Sequence, residues 1–224
     1  HEGKIIHEMT KKIIEGERNT QFEELHILKP GITWSPEGDY LAVAVKSGKS
    51  DALITINLKN NKKTIKRFNL EGIFRPSWNP TNNQIAFIGN NGFASDVYVY
   101  DIDSDKLKNY TNDWYTDDQV SWDESGENLL FVSNREDNIH TNQHVVDNLS
   151  SYNFEQTDIY RLNINNNLIQ RLTNTDSNES YPFYSNSKKI LGYISDANGI
   201  NNIYLKLDSH SKEVAITNVL TGIT

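Results

Sequence analysis

One segment pattern recurs four times along the chain, and it constrains the fold more than any other feature. Ile32-Thr33-Trp34-Ser35-Pro36-Glu37-Gly38 leads into Tyr40-Leu41-Ala42-Val43-Ala44. Pro76-Ser77-Trp78-Asn79-Pro80 leads into Gln84-Ile85-Ala86-Phe87-Ile88, and Val120-Ser121-Trp122-Asp123 leads into Asn128-Leu129-Leu130-Phe131-Val132. A degraded copy, Pro182-Phe183-Tyr184-Ser185-Asn186, leads into Lys189-Ile190-Leu191-Gly192-Tyr193. The aromatic anchors stand at 34, 78, 122 and 184, spaced by 44, 44 and 62. A second landmark follows each anchor: Asp51-Ala52-Leu53, Asp96-Val97-Tyr98, Asp158-Ile159-Tyr160 and Asn202-Ile203-Tyr204. A third closes the later units: Tyr110-Thr111-Asn112, Leu172-Thr173-Asn174 and Ile216-Thr217-Asn218. The extra length of the third unit, about eighteen residues, lies between Phe131 and Asp158. Landmarks in constant order at a fixed period are the mark of a repeat architecture.

Each unit reads as four strands. The anchor segment is the first, a short apolar run such as Leu129–Val132 the second, an alternating run such as Val97-Tyr98-Val99-Tyr100 the third, and a segment ending at Leu-Thr or its variant the fourth. Period-two alternation with β-branched and aromatic enrichment marks strands. The turns between them carry Asn, Asp, Ser and Gly, and the 29 Asn of the chain fall mostly after residue 57; these residues tolerate the backbone conformations that tight turns demand. A repeated four-stranded unit of about 40–45 residues predicts an all-β fold, a β-propeller of four-stranded antiparallel blades. Four blades are recognisable, at about 31–70, 71–113, 114–175 and 176–218, preceded by irregular strand-like patches over 1–30 that carry no anchor Trp.

These units resemble the repeats of the TolB-type propeller family, whose consensus runs Pro-x-Trp-Ser-Pro-Asp-Gly-x-x-Ile-Ala-Phe, then Asp-Ile-Tyr, then Leu-Thr. Trp34-Ser35-Pro36-Glu37-Gly38 departs from it only by Glu for Asp, and Ser133-Asn134-Arg135 and Ser195-Asp196-Ala197-Asn198-Gly199 resemble the Ser-Asp-x-x-Gly that follows the family's second strand. The resemblance covers roughly residues 31–224. It implies a ring of about six blades, so the four visible units are expected to be a section of a larger ring; the alternative is a five-part ring with an irregular first blade. In the larger ring, residues 1–30 are a remnant of a preceding blade, and Val219–Thr224 a connector toward a following one. It further implies a periplasmic or extracellular setting and a non-enzymatic role, a scaffold for protein or peptide within a larger bacterial exported protein. The alternative it implies is a substrate-gating propeller attached to a peptidase or hydrolase domain outside this chain.

Composition narrows the chemistry. The 224 residues contain no Cys, which removes thiolate metal sites, disulfides and cysteine nucleophiles. A formal charge of -8 argues against nucleic acid as the main partner, because phosphate neutralisation needs clustered Lys and Arg. No apolar run approaches the ~20 residues of a membrane-spanning helix. There is no Gly-x-Ser-x-Gly elbow, phosphate-binding Gly-rich loop or Ser-x-x-Lys set. No catalytic residue and no cofactor is expected.

In a four-stranded antiparallel blade, the second-to-third loop and the blade-to-blade loop leave at the same end. The insertion Asn134–Thr157 and the connectors 112–118 and 174–181 therefore share one end. That end is acidic and carries Trp114, Tyr115, Asp117, Asp118, Tyr152, Phe154 and Tyr181, the expected partner-binding residues. Aromatic anchors beside carboxylates suit a cationic or amphipathic partner. The competing reading packs Trp114 and Tyr115 between blades. His140 and His144 share the spacing of ligands on one helix face, but Gln143 stands where a metallopeptidase motif would not place it, and an ordinary surface loop is preferred. Asp101, Asp103 and Asp105 alternate as a calcium loop begins, yet the Gly and closing Glu are missing, so a hairpin turn is preferred. Asp96 and Asp158 recur at one place in the repeat and are expected to bond turn N–H groups.

Overall fold

The structure, a computed structural model, describes residues 24–25, 31–48, 50–140, 153–207 and 213–223. Its strands form four antiparallel sheets in chain order. The first contains β1 (Glu24–Leu25), β2 (Ile32–Trp34), β3 (Tyr40–Ser47), β4 (Ser50–Asn57) and β5 (Lys63–Arg67). The second contains β6 (Gly72–Trp78), β7 (Gln84–Asn90), β8 (Ser95–Asp101) and β9 (Lys106–Asn109). The third contains β10 (Asp117–Trp122), β11 (Asn128–Ser133), β12 (Asp158–Asn163) and β13 (Leu168–Arg171). The fourth contains β14 (Glu179–Ser185), β15 (Ile190–Ser195), β16 (Asn202–Leu207) and β17 (Val214–Ala215). Each later sheet is a simple meander whose strands pair with their sequence neighbours. The period of the anchors thus becomes the period of the blades. Within the N-terminal segment, Glu24–Leu25 pairs with β3 on the same edge as β2, so this part of it joins the first blade.

The blades stack face to face, and each seam between them is a separate core. At the first seam Ala42, Ala44 and Leu53 meet Ile73, Trp78, Ile85, Phe87, Tyr98 and Tyr100. At the second, Ala86, Ile88, Val97 and Val99 meet Val120, Leu129, Phe131, Tyr160 and Leu162. The third is smaller: Ile159 meets Leu191 and Tyr193, with Leu172, Tyr184 and Tyr204 partly buried around them. Alternation along each strand feeds two seams, one per face, as the pleat requires.

The landmarks are hydrogen-bonded positions. Thr111 Oγ1 accepts the Val97 amide at 3.0 Å and donates to Asp96. Thr173 Oγ1 accepts the Ile159 amide at 2.9 Å and donates to Asp158, and Thr217 Oγ1 treats Ile203 and Asn202 the same way. The recurring Asp and Thr therefore pin the outer strand to the third strand, and Asp96 also accepts the Asp113 amide, as the expected turn-bonding role requires. At the other end, the anchor turn of one blade grips the next. Asn79 Nδ2 donates to the Gly126 carbonyl, and Asn186 Nδ2 donates to Asp123. Gly126 sits at φ 71° with Asn79 against it, so a side chain there would meet both strain and Asn79 Oδ1.

The far face of the fourth sheet carries Phe183, Leu207 and Val214, all exposed. The backbone beyond β17 repeats an earlier route. Glu179 N donates to the Thr157 carbonyl six residues after Thr173, and Ile223 N donates to the Asn201 carbonyl six residues after Thr217.

Candidate functional site

Strand register places the loops. Asp117 stands opposite Ser133, and Ser133 opposite Asp158, so the segments around 112–116, 134–140, 153–157 and 172–178 lie at one end of the blades together. Asn134 ties two of them: its Oδ1 accepts the Thr116 amide at 2.9 Å, and its Nδ2 donates to the Phe154 carbonyl at 3.2 Å.

The expected partner residues separate into distinct places. Trp114 is 49% exposed and Phe154 55% exposed, both on this loop surface. Tyr115 is 2% exposed and Asp117 fully buried, so neither can contact a partner without unpacking the blade. The reason is local. From Asp113 to Asp117 burial alternates residue by residue, which turns Asp113, Tyr115 and Asp117 inward and Trp114 and Thr116 outward. Tyr115 therefore packs inward while Trp114 is exposed. Tyr152 and His144 lie outside the described residues. His140 is exposed, and among the described residues no group of three His, Cys, Asp or Glu could hold a metal ion. The 101–105 segment is a hairpin turn: Asp101 accepts the Ser104 amide and hydroxyl, and Asp105 takes a φ of 55°.

What Asp113 and Asp117 face is Arg135, two residues beyond β11 and completely buried. Its Nη1 reaches Asp113 at 3.0 Å, its Nη2 reaches Asp117 at 2.6 Å, and its Nε donates to Ser133 Oγ at 3.0 Å. Its guanidinium lies 5.1 Å from the Phe131 ring centre, 5.5 Å from Tyr115 and 5.7 Å from Tyr160. Burial disfavours the charge on Arg135, but the two carboxylates beside it raise its pKa above the ordinary value. One cation balances only one carboxylate. Burial therefore pushes Asp113 up to about 7 despite Arg135, with Asp117 adding to the rise. This cluster locks the loop end in place and offers nothing to solvent.

The third seam has an acid and no such cation. Glu179 is fully buried at the start of β14, with Thr175 Oγ1 donating to its Oε1 at 2.6 Å and Ser195 Oγ at 3.3 Å. Among the described residues its Oε2 has no hydrogen-bond partner. Residue 197, two beyond β15, matches Arg135 by register and is Ala. Burial pushes Glu179 up to about 7, and neighbouring Asp158 adds to it.

Asp118 and Tyr181 belong to neither group. Tyr181 lines a groove on the inner edges of the blades, of about 460 Å³, with Arg75, Gln119, Thr33 and Ser77, and Asp118 pairs with Arg75. Three first strands carry a bulge at matching positions, and Arg75, Gln119 and Tyr181 occupy them with φ of 51°, 56° and 51°. Each stands three residues before its anchor; the first blade has Gly31 there. A left-handed backbone at a residue other than Gly is costly, about 1 kcal/mol or more per position, and bulges re-aim side chains. Here they gather residues from three blades: Arg75 Nε reaches Asp118 at 3.2 Å, the Arg75 guanidinium stands 5.4 Å from the Tyr181 ring centre, and Gln119 Oε1 accepts the Tyr181 amide.

No protein-family profile matches this sequence. No curated protein matches it either. Solved structures do. TolB from Acinetobacter baumannii aligns with a TM-score of 0.64 at 18% identity over 84% of this chain and 43% of its own. The nidogen/laminin complex contains a chain with a TM-score of 0.61 at 8% identity, over 84% of this chain and 64% of that one. The tricorn protease gives 0.61 at 16% identity, over 85% of this chain and 22% of its own. The chain thus spans less than two thirds of the length of each of these relatives. Four consecutive four-stranded blades, with bulged first strands, and these likenesses together give the chain a TolB-type β-propeller fold.

Proposed function

We propose that this chain is a non-enzymatic propeller segment that binds protein or peptide at its loop end, within a larger bacterial exported protein. The observation that carries the reading is the exposed pair Trp114 and Phe154 on loops held together by Asn134. A rigid base of buried Asp113, Asp117 and Arg135 presents them, so their ordering cost is met before a partner arrives. Exposed Asp137 and Asp176 on the same end favour a partner with Lys or Arg. Tyr181 extends the surface into the groove along the first strands. Among the described residues no helix is long and apolar enough to cross a membrane. The likeness to a TolB supports an exported setting.

The exposed far face of the fourth sheet and the 217–223 route support a larger ring, in which a following blade covers Phe183, Leu207 and Val214. A second reading, a propeller that gates substrate for a peptidase domain, is favoured by the fold-level likeness to the tricorn protease. Selection from displayed random peptides tests the first. The expected outcome is enrichment of basic sequences whose binding is lost in Trp114→Ala with Phe154→Ala while the melting temperature stays within about 2 °C. Enrichment that survives both substitutions would place the binding surface elsewhere.

A further inference from the structure

The third seam contains a feature that the other two lack. Register aligns Thr55, Val99 and Arg161 as the third-strand residues facing the following blade, opposite Ala42, Ala86 and Leu130. It aligns Tyr100, Leu162 and Lys206 as the residues facing the preceding blade, opposite Ile85, Leu129 and Leu191. The first seam therefore brings Thr55 and Tyr100, the second Val99 and Leu162, and the third Arg161 and Lys206. Two cations stand where the neighbouring seams use mainly apolar or aromatic side chains. Placing two half-buried cations there is unfavourable for packing, and it occurs in a chain of net charge -8.

Between these cations lies a pocket of about 200 Å³, lined by Arg161, Gln170, Arg171, Leu172, Tyr184, Leu191 and Lys206. The three cations differ in how they are satisfied. Arg171 is held by Asp137 at 2.7 Å and Asp158 at 2.5 Å, yet among the described residues its buried Nε has no partner. Lys206 donates to the Leu172 carbonyl at 2.9 Å and pairs with Glu213 at 3.3 Å. Arg161 donates to Gln170 Oε1 at 2.8 Å and stands 5.2 Å from the Tyr184 ring centre; among the described residues it has no carboxylate partner. A guanidinium beside an aromatic face, with one hydrogen bond to Gln170 and no carboxylate partner among the described residues, is suited to bidentate capture of an oxyanion.

We propose that the pocket between the third and fourth blades binds a small organic oxyanion, a carboxylate or phosphate. Arg161 is its main ligand, Lys206 supplies a second cation, and the apolar body lies against Tyr184, Leu172 and Leu191. The site lies between the outer strands, and Arg171 links its edge to Asp137 at the loop end.

The test is titration of the purified chain with inorganic phosphate and with benzoate, followed by amide and arginine side-chain NMR shifts at ionic strength matched with chloride. Saturable shifts at β12, β13 and β16 are expected for at least one probe. Tighter benzoate binding would assign the head as a carboxylate with an apolar body, and tighter phosphate binding would assign it as a phosphoryl group. Arg161→Gln is expected to weaken binding about tenfold or more, since it removes a charge-assisted pair of hydrogen bonds. Lys206→Met is expected to weaken it several-fold and serves as the second variant should Arg161→Gln fold poorly. Lys59→Gln, on the first blade, should leave binding unchanged. Shifts that grow linearly in step with chloride, or variants at 161 and 206 that titrate like the original chain, would overturn the proposal.

Discussion

The second and third seams are built from the same repeat, and they seal differently. The second joins two apolar faces and closes its loop end with Arg135 between Asp113 and Asp117. The third keeps the acid, Glu179, but has Ala197 where the cation would stand, and it fills its outer half with Arg161 and Lys206. A propeller is a series of nearest-neighbour interfaces, so each seam can be changed without rewriting the others. The second seam is built for packing, whereas the third gives up packing for charged and accessible groups.

The largest way to break this contrast is Arg135→Ala. It leaves two carboxylates buried without their cation and is expected to cost about 3–5 kcal/mol, read from the urea midpoint. A reciprocal pair comes next. Leu162→Lys puts the third seam's chemistry into the second and should cost about 3 kcal/mol, while Lys206→Leu should change stability by less than about 1 kcal/mol. Equal costs for the two would show that the seams are packed alike.

A smaller effect sharpens the role of Glu179. Its folded value of about 7 lies above the ordinary 4.5, so the folded state holds the proton more tightly. Stability from this group is complete below about pH 4.5 and is lost as pH rises toward 7. Glu179→Gln should therefore flatten the fall in stability between pH 5 and pH 8, by roughly 1–2 kcal/mol. Asp113 contributes a fall of the same sign, which the variant leaves in place. An unchanged pH slope would remove Glu179 from the account. The smallest effect is Trp114→Ala, within about 0.5 kcal/mol, against several kcal/mol for Tyr115→Ala, measured in the same way.

Most of the blade plan was readable because it is written in local pattern. The aromatic anchors and apolar second strands recur with the period of the blade, and the Asp or Asn and Thr landmarks fill the same place in the three later sheets. The site was less readable. The inward turn of Tyr115 and Asp117 was present as alternation over 113–117, but a short acidic connector reads as a surface loop when composition is weighed before period. Arg135 could not be found that way, since its partners are eighteen and twenty-two residues away and meet it only when the blade closes. The bulges at Arg75, Gln119 and Tyr181 carry no Gly or Asn to announce a left-handed backbone. They are imposed by the geometry of strands converging on an axis. The cations of the third seam become visible only after register aligns Arg161 with Val99 and Lys206 with Leu162.

The central claim is that stability is distributed seam by seam and that the third seam is the weaker one. Native-state hydrogen exchange reads it at two equivalent amides: Ile159 and Ile203 both donate to a landmark Thr Oγ1 at 2.9 Å, one in each of the last two blades. With the local bonds matched, any difference in protection reports the openings of the surrounding structure. Ile203 is expected to exchange at least about tenfold faster than Ile159, a gap of about 1.4 kcal/mol. Equal protection at the two amides, or slower exchange at Ile203, would contradict the account.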